Sequence, residues 1–360
     1  MGVVGIMSPW NYPVQLALVP AIAAFAAGNR VWLKPSERSL RTSGFLATLI
    51  QEYFHSSEFC VSTGGTEVAE SFAALPFDHL FFTGSGEIGK KVMRAAADHL
   101  TPVTLELGGK SPAIVDASAK LKDAAASIIY GKLVNGGQTC IAPDYVLVHA
   151  SDCEAFVQEL QNAAQKQFSN PEELTGAIDE HQLARWHQLV QDAVDRGAQA
   201  IPLISSHHNI ALPFTPVALL NISEDALIMQ EEVFGPILPI VAINDIDSII
   251  RYVNERPMPL ALYWFGKSKE AMQRILNETR SGGVTINDTL LHAAVEDLPF
   301  GGVGASGMGA YHGKAGFEAF SHRKSVLEVR GFFGLNFLRG TKLVRPPYGN
   351  GVERLLRWLR

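Results

Sequence analysis

Between residues 2 and 107 the chain alternates short β-branched runs with longer alanine-rich segments, and this alternation constrains the fold more than any other feature. The run Val3-Val4-Gly5-Ile6 precedes a helical pattern starting near Val14, and Val31-Trp32-Leu33-Lys34 precedes a second one over 40–53. Further strands are predicted at 59–62, 80–83 and 103–107, with helices near 68–75 and 87–99 between them. Strands that are apolar almost throughout, separated by helices, predict a parallel sheet covered on both faces, because each crossover lays a helix over it. The glycines of Gly64-Gly65 and Gly84-Ser85-Gly86 follow strand ends. They therefore sit at the carboxyl edge of the sheet, where open α/β folds bind ligands.

A second α/β region follows, with helices expected near 121–133, 153–168 and 179–197 and strands near 145–149, 237–243 and 261–265. At 360 residues the chain exceeds what one core of about 250–300 residues sustains. The expected architecture is α/β, with two doubly wound parallel-sheet domains at 1–107 and 108–304 and a C-terminal segment at 305–360. The Gly- and Pro-rich stretch 108–112 is the expected boundary. Residues 231–236 and 299–307 read locally as loops.

With 47% apolar and 18% charged residues the chain can build a large core and is not a disordered, solvating polymer. A net charge of -6 gives no general electrostatic reason to bind nucleic acid. From Arg323 onward, however, nine Lys or Arg face only Glu328 and Glu353. Such a tail lies against an acidic surface of its own body or a partner subunit, or on an anionic membrane face. Its Phe332, Phe333, Phe337, Leu355, Leu356, Trp358 and Leu359 allow an amphipathic element, and packing on protein is the preferred reading. The uncharged start up to Asn29 has no basic leader and is interrupted by Pro9 and Pro13, so it reads as a buried strand entering a buried helix.

Three cysteines make neither a disulfide framework nor a CxxC metal site, which suits a reducing cytoplasm. The adjacent His207 and His208, without acidic or thiol neighbours, read as loop. Cys140 lies in Asn135-Gly136-Gly137-Gln138-Thr139-Cys140, where two glycines permit close backbone approach. It is either a nucleophile or a small buried hydrophobe, the commoner role of cysteine. Glu106, between Leu105 and Leu107 at a strand end, is placed either as a general base with a raised pKa or as an ion-pair partner of Lys110. Asn11, on a stiff turn between Trp10 and Tyr12, is a candidate oxyanion donor or an Asx-turn residue. Lys34-Pro35-Ser36-Glu37 ends the second strand, where a carboxylate can bond ribose hydroxyls or simply open a helix. Phe82-Thr83-Gly84-Ser85-Gly86 resembles a phosphate-cradling turn at a helix N-terminus, although it is neither GxGxxG nor a P-loop.

In order along the chain stand PWNYP, KPSE, FTGSxxxG, LELGGKSP, GQTC, EEVFGP and PFGGVGASG. This ordered set resembles the NAD(P)-dependent aldehyde dehydrogenase superfamily over about residues 4–326. GQTCIAPDYVLV, GGVTINDTLLH and YHGKAGF resemble the branch acting on fatty and aromatic aldehydes, coniferyl aldehyde among them. The resemblance implies Cys140 as nucleophile, Asn11 and the Cys140 backbone N–H as oxyanion donors, and Glu106 as the base that activates water. It further implies cofactor contacts at Trp10, Lys34, Ser36, Glu37, Gly64, Gly84, Ser85, Leu107, Glu232 and Phe234, and no metal. Members that pass the acyl group to coenzyme A generally lack the carboxylate at Glu106, so release of the free acid is expected. Glu37 favours NAD, with NADP possible, because a carboxylate repels a 2'-phosphate. A homo-oligomer, preferentially a dimer, is implied as well.

Family members carry a substantial segment before the GVVGIMSPWNYP strand, so a truncated or incomplete chain is expected. The alternative to an active enzyme is then a non-catalytic fragment acting through binding. A thiol hydrolase built on Cys140 and a histidine is a third reading, for which no histidine neighbourhood stands out.

Overall fold

In the computed structural model, residues 2–204, 213–328, 346 and 348–358 are described. The histidines at 207 and 208 and the tail residues Phe332, Phe333, Phe337 and Leu359 lie outside them. The first sheet is built from β1 (Val3–Met7), α1 (Gln15–Ala26), β2 (Arg30–Lys34), α2 (Leu40–Tyr53), β3 (Phe59–Val61), α3 (Thr66–Ala73), β4 (His79–Thr83), α4 (Gly86–Ala97) and β5 (Val103–Glu106). Every strand but β5 is followed by a helix, as the alternation of apolar runs predicts.

The chain continues through β6 (Pro112–Val115), α5 (Leu121–Leu133), β7 (Tyr145–His149), α6 (Cys153–Gln167), α7 (Glu180–Asp195), β8 (Gln199–Pro202) and β9 (Val217–Leu220). It then runs through α8 (Leu227–Gln230), β10 (Ile237–Ile243), α9 (Ile246–Asn254), β11 (Ala261–Phe265), α10 (Lys269–Glu278), β12 (Gly283–Ile286), β13 (Gly307–Met308), α11 (Gly313–Ala319) and α12 (Asn350–Trp358). Two compact units result: Met1–Ser321 holds both sheets, and His322–Arg360 holds α12, on which Leu356 and Trp358 are exposed. Among the described residues no helix is long and apolar enough to cross a membrane.

The first sheet has the order β13-β5-β4-β1-β2-β3, parallel except for β13. From β1 the chain winds outward through β2 to β3, then returns to β4 on the other side of β1 and continues to β5. The topological switch point thus falls between β1 and β4, where a crevice opens at the carboxyl edge. The second sheet has the order β12-β11-β6-β7-β10-β9-β8, parallel except for β8. Its inner strands are buried on both faces: Ile114, Val146, Leu147 and Leu262 are fully enclosed.

Residues 107–111 alone connect β5 to β6. The chain therefore passes from the carboxyl edge of the first sheet straight into the amino edge of the second. The segment read as a linker ends inside a strand, since Pro112 is the first residue of β6, a position that tolerates the missing N–H.

The glycine cluster read as loop does more than connect. Gly307 and Met308 pair antiparallel with Glu106 and Leu105, and Ser306 O accepts the Leu107 N–H at 3.1 Å. Gly307 has φ +138°, and a Cβ there would lie 2.0 Å from Leu105 O. Gly307→Ala should destabilise the protein by about 3 kcal/mol, through backbone strain plus overlap. Gly44→Ala, in the interior of α2 with nothing within 4 Å of the new methyl, should stabilise it by about 0.5–1 kcal/mol. Urea unfolding of both variants checks the opposite signs; shifts of equal sign would contradict the packing described.

Candidate active site

Four first-sheet segments, Arg38 after β2 being one, and three second-sheet segments meet in one cleft of about 580 Å³. Pro9, Trp10 and Asn11 come from the end of β1, Thr83–Gly86 from the end of β4, and Glu106–Gly109 from the end of β5. Opposite them lie Cys140 ahead of β7, Glu231, Glu232 and Phe234 ahead of β10, and Gln182 and Arg185 on α7. The cleft thus brings together Trp10, Asn11, Gly84, Ser85, Glu106, Leu107, Cys140, Glu232 and Phe234. Lys34, Ser36, Glu37 and Gly64 do not line it. They follow β2 and β3 farther along the same carboxyl edge.

The Cys140 loop owes its shape to glycine. Asn135, Gly136 and Gly137 carry φ values of 52°, 62° and 73°, a left-handed run. A Cβ on Gly137 would stand 2.4 Å from Gly235 O, and one on Gly235 would stand 2.2 Å from Trp186 Nε1. The loop therefore approaches the 231–235 loop closely at Gly137, and that loop approaches α7 closely at Gly235. Buried Gln138 fixes the turn by donating to Asn135 O at 2.9 Å and Gly176 O at 3.0 Å and accepting from Ile178 N at 3.0 Å. Asn11 closes no Asx turn: its Nδ2 donates to Gln138 O at 3.0 Å, while Asn135 Nδ2 donates to Asn11 O at 2.9 Å. One Asn11 N–H remains beyond that bond.

The 231–235 loop is gripped from α7 by side chains spaced one turn apart. Gln182 Nε2 and Trp186 Nε1 donate to Phe234 O at 2.9 and 3.1 Å, and Arg185 donates to Glu232 O at 2.6 Å and Val233 O at 2.8 Å. Phe234 sits at φ 45°, with its ring edge-on to Trp10 at 5.4 Å. A Cβ on Gly108 would fall 1.9 Å from a Glu232 carboxylate oxygen, so only glycine lets that carboxylate lie over the linker.

The carboxyls and the thiol share one electrostatic character. Glu106 is 3% exposed, neither carboxyl oxygen has a hydrogen-bond partner among the described residues, and burial pushes its pKa well above the usual range. The alternative of a Glu106–Lys110 ion pair is overturned, because Lys110 is drawn to Asp144 and donates to Ile228 O at 2.7 Å and Glu231 O at 3.0 Å. Burial, then the Asp144 charge, raise Glu232 to about 8 against the Gly109 N–H, Lys110 and Arg185. Cys140 is pushed up to about 12 by burial and by the Glu232 and Glu106 charges, while the backbone N–H groups of Cys140 and Ile141 pull it down. For Glu37 burial acts upward, but the 2.6 Å bond from Lys34 Nζ and nearby positive charge outweigh it and hold the carboxyl below its usual range.

A nicotinamide cofactor fits these residues. Thr83 Oγ1 is buried without a partner at the switch point, and Ser85 makes no side-chain capping bond to α4. Nothing lies within 4 Å of a Cβ built on Gly86, so the first turn of α4 opens onto free space with its N–H groups available. Among the described residues no group of acidic, histidine or cysteine side chains could hold a metal. The motifs did not point to Arg38, Gln182 or Arg185, and Thr83 lies inside FTGSxxxG without being singled out. Arg38 directly follows KPSE and could have been suspected; Gln182 and Arg185 had only their i, i+3 spacing on one helix face as a signal.

The profile of the aldehyde dehydrogenase family matches residues 1–326. A coniferyl aldehyde dehydrogenase from Pseudomonas sp. strain HR199 is 44% identical over 364 residues, which cover 99% of this chain and 74% of that protein. The substrate-bound state of Staphylococcus aureus AldH superposes with a TM-score of 0.88 at 38% identity, covering 100% of this chain and 77% of that one. An NAD-dependent aldehyde dehydrogenase from Sinorhizobium meliloti gives 0.81 at 32% identity, covering 89% and 65%.

A thiol raised to about 12 stays protonated through the neutral range, and its thiolate fraction grows about tenfold per pH unit. Iodoacetamide labelling of Cys140, followed by peptide mass spectrometry, should therefore accelerate steadily from pH 7 to 10. A plateau near pH 8 would show a thiol activated without cofactor or substrate.

Proposed function

The chain belongs to the aldehyde dehydrogenase family, and from that premise we propose that it oxidises an aromatic or medium-chain aliphatic aldehyde, with coniferaldehyde as the first candidate, to the free acid. The observation that carries this reading is the meeting of Cys140 and an unpartnered, buried Glu106 in one cleft open to the first turn of α4. A nicotinamide cofactor supplies the hydride acceptor when bound. Lys34 and Glu37 would hold its adenosine ribose, Ser85 and the start of α4 its pyrophosphate, and Glu232 with Phe234 its nicotinamide end.

In the reaction we assign to this cleft, Cys140 Sγ attacks the aldehyde carbon, the thiol proton passes to water, and the carbonyl electrons move to oxygen. The free Asn11 N–H and the Cys140 backbone N–H stabilise that oxyanion. Loss of hydride from the thiohemiacetal leaves a thioester on Cys140. Glu106 then takes a proton from the water that attacks the thioester, and the acid departs as the thiol is restored. A carboxyl of ordinary pKa would be a weak base for water; burial raises Glu106 toward the range in which general bases work.

Purified protein with NAD and coniferaldehyde should produce NADH with absorbance at 340 nm, and Cys140→Ala should produce none. Glu106→Gln should still acylate, giving a burst of at most one NADH per chain, with steady turnover down about 10²–10⁴-fold. Undiminished turnover in Glu106→Gln would remove Glu106 from the hydrolytic step. A folded wild-type protein that forms no NADH with any aldehyde would leave a binding protein without this chemistry.

Glu37 is ionised at neutral pH, which supports a preference for NAD. Glu37→Gln should raise the NADP to NAD ratio of kcat/KM by about tenfold. An unchanged ratio would mean that the 2'-hydroxyl lies away from this carboxylate.

A further inference from the structure

Arg38 stands outside every motif, yet it bridges the two sheets. It follows β2 and α7 belongs to the second-sheet region; across the gap Arg38 Nη2 and Nε donate to Asp179 Oδ2 at 2.6 and 2.9 Å. The guanidinium carbon also lies 4.7 Å from the centre of the Trp10 ring, a cation–π arrangement. Trp10 meets the edge of Phe234 at 5.4 Å. The carbonyl of Phe234 is held by Gln182 and Trp186, on the helix that Asp179 caps. These contacts close a circuit: Arg38 to Asp179, along α7 to Phe234, across to Trp10, and back to Arg38.

Trp10 and Phe234 both line the cleft, one from each sheet, and meet edge to face as one wall. We propose that Arg38 is a positioning residue for the cofactor: pinned by Asp179 and lying over Trp10, it fixes the edge contact between Trp10 and Phe234 in one geometry, so that the nicotinamide cofactor meets a preformed aromatic wall. The proposal rests on the reading of this cleft as the nicotinamide site. A guanidinium suits the task because its plane stacks on an indole while its edge grips a carboxylate, which an ammonium cannot do at once. Preorganisation of this kind acts on affinity, since order already present in the free protein is not lost on binding.

The test is titration of NADH and NADPH by fluorescence on the full chain, for wild type, Arg38→Gln, Asp179→Asn and the double variant. Asn at 179 keeps an oxygen to accept from Gln182 N–H, now 2.9 Å from the Asp179 carboxylate, so α7 retains its start. Each single change should weaken binding about three- to tenfold, in the range of a half-exposed ion pair with a cation–π contact. The double variant should be no weaker than the weaker single one, because both break the same circuit. The difference from wild type should fade in about 1 M salt, where screening shortens to about 3 Å. The labelling rate of Cys140 and the melting temperature should stay as in wild type.

Wild-type affinity in Arg38→Gln, or losses that multiply in the double variant, would overturn the proposal. Should Arg38→Gln fail to fold, Asp179→Asn decides by the same criterion. A folded wild type that binds neither dinucleotide would instead overturn the reading of the cleft, and the proposal with it.

Discussion

The short passage from β5 to β6 is the constraint on which the rest of the molecule depends. With only residues 107–111 between them, the carboxyl edge of one sheet must face the amino edge of the other. Loops that end first-sheet strands and loops that begin second-sheet strands then share one space. Glu106 is the last residue of β5, while Cys140 and Glu232 sit ahead of β7 and β10, so three groups far apart in sequence are delivered to one cleft. The linker itself runs beneath Glu232, which is why Gly108 carries no side chain.

Enclosure between two sheet edges sets the electrostatics. Glu106 is buried and Cys140 partly so, and burial drives each toward its neutral form. Formal charge also lines the cleft, where Arg185 braces the 231–235 loop, while Lys110 is drawn to Asp144 beside it. Reacting groups in their neutral form suit an uncharged carbonyl, and in a partly enclosed cleft the donors act with less screening. The same loops meet through close glycine contacts as well as side-chain hydrogen bonds, so small backbone shifts would be felt directly at Cys140.

The sheets of the first region and the longest elements of the second were legible because periodicity and β-branching are local properties. Helices at Leu40–Tyr53 and Leu121–Leu133 and strands at Tyr145–His149, Ile237–Ile243 and Ala261–Phe265 fall where the pattern predicts them. β6, β12 and β13 escaped because their runs are short and embedded in Gly- and Pro-rich sequence. For β13 the deciding partner is Glu106, about two hundred residues away. A loop reading of PFGGVGASG was the natural local choice, since no neighbour within the motif reveals the strand it joins.

By itself the sequence determined the βαβ alternation, the two sheets, and the residue types able to carry thiol and carboxyl chemistry, because these depend on neighbours a few positions apart. Only the tertiary structure decided that Lys110 joins Asp144 and leaves Glu106 unpartnered, that the Asn11 amide reaches Gln138, and that Arg38 reaches Asp179. The physical reason is that a buried charge or amide takes whichever partner packing brings within about 3 Å. Those partners come from strand ends more than thirty, and often more than a hundred, residues apart.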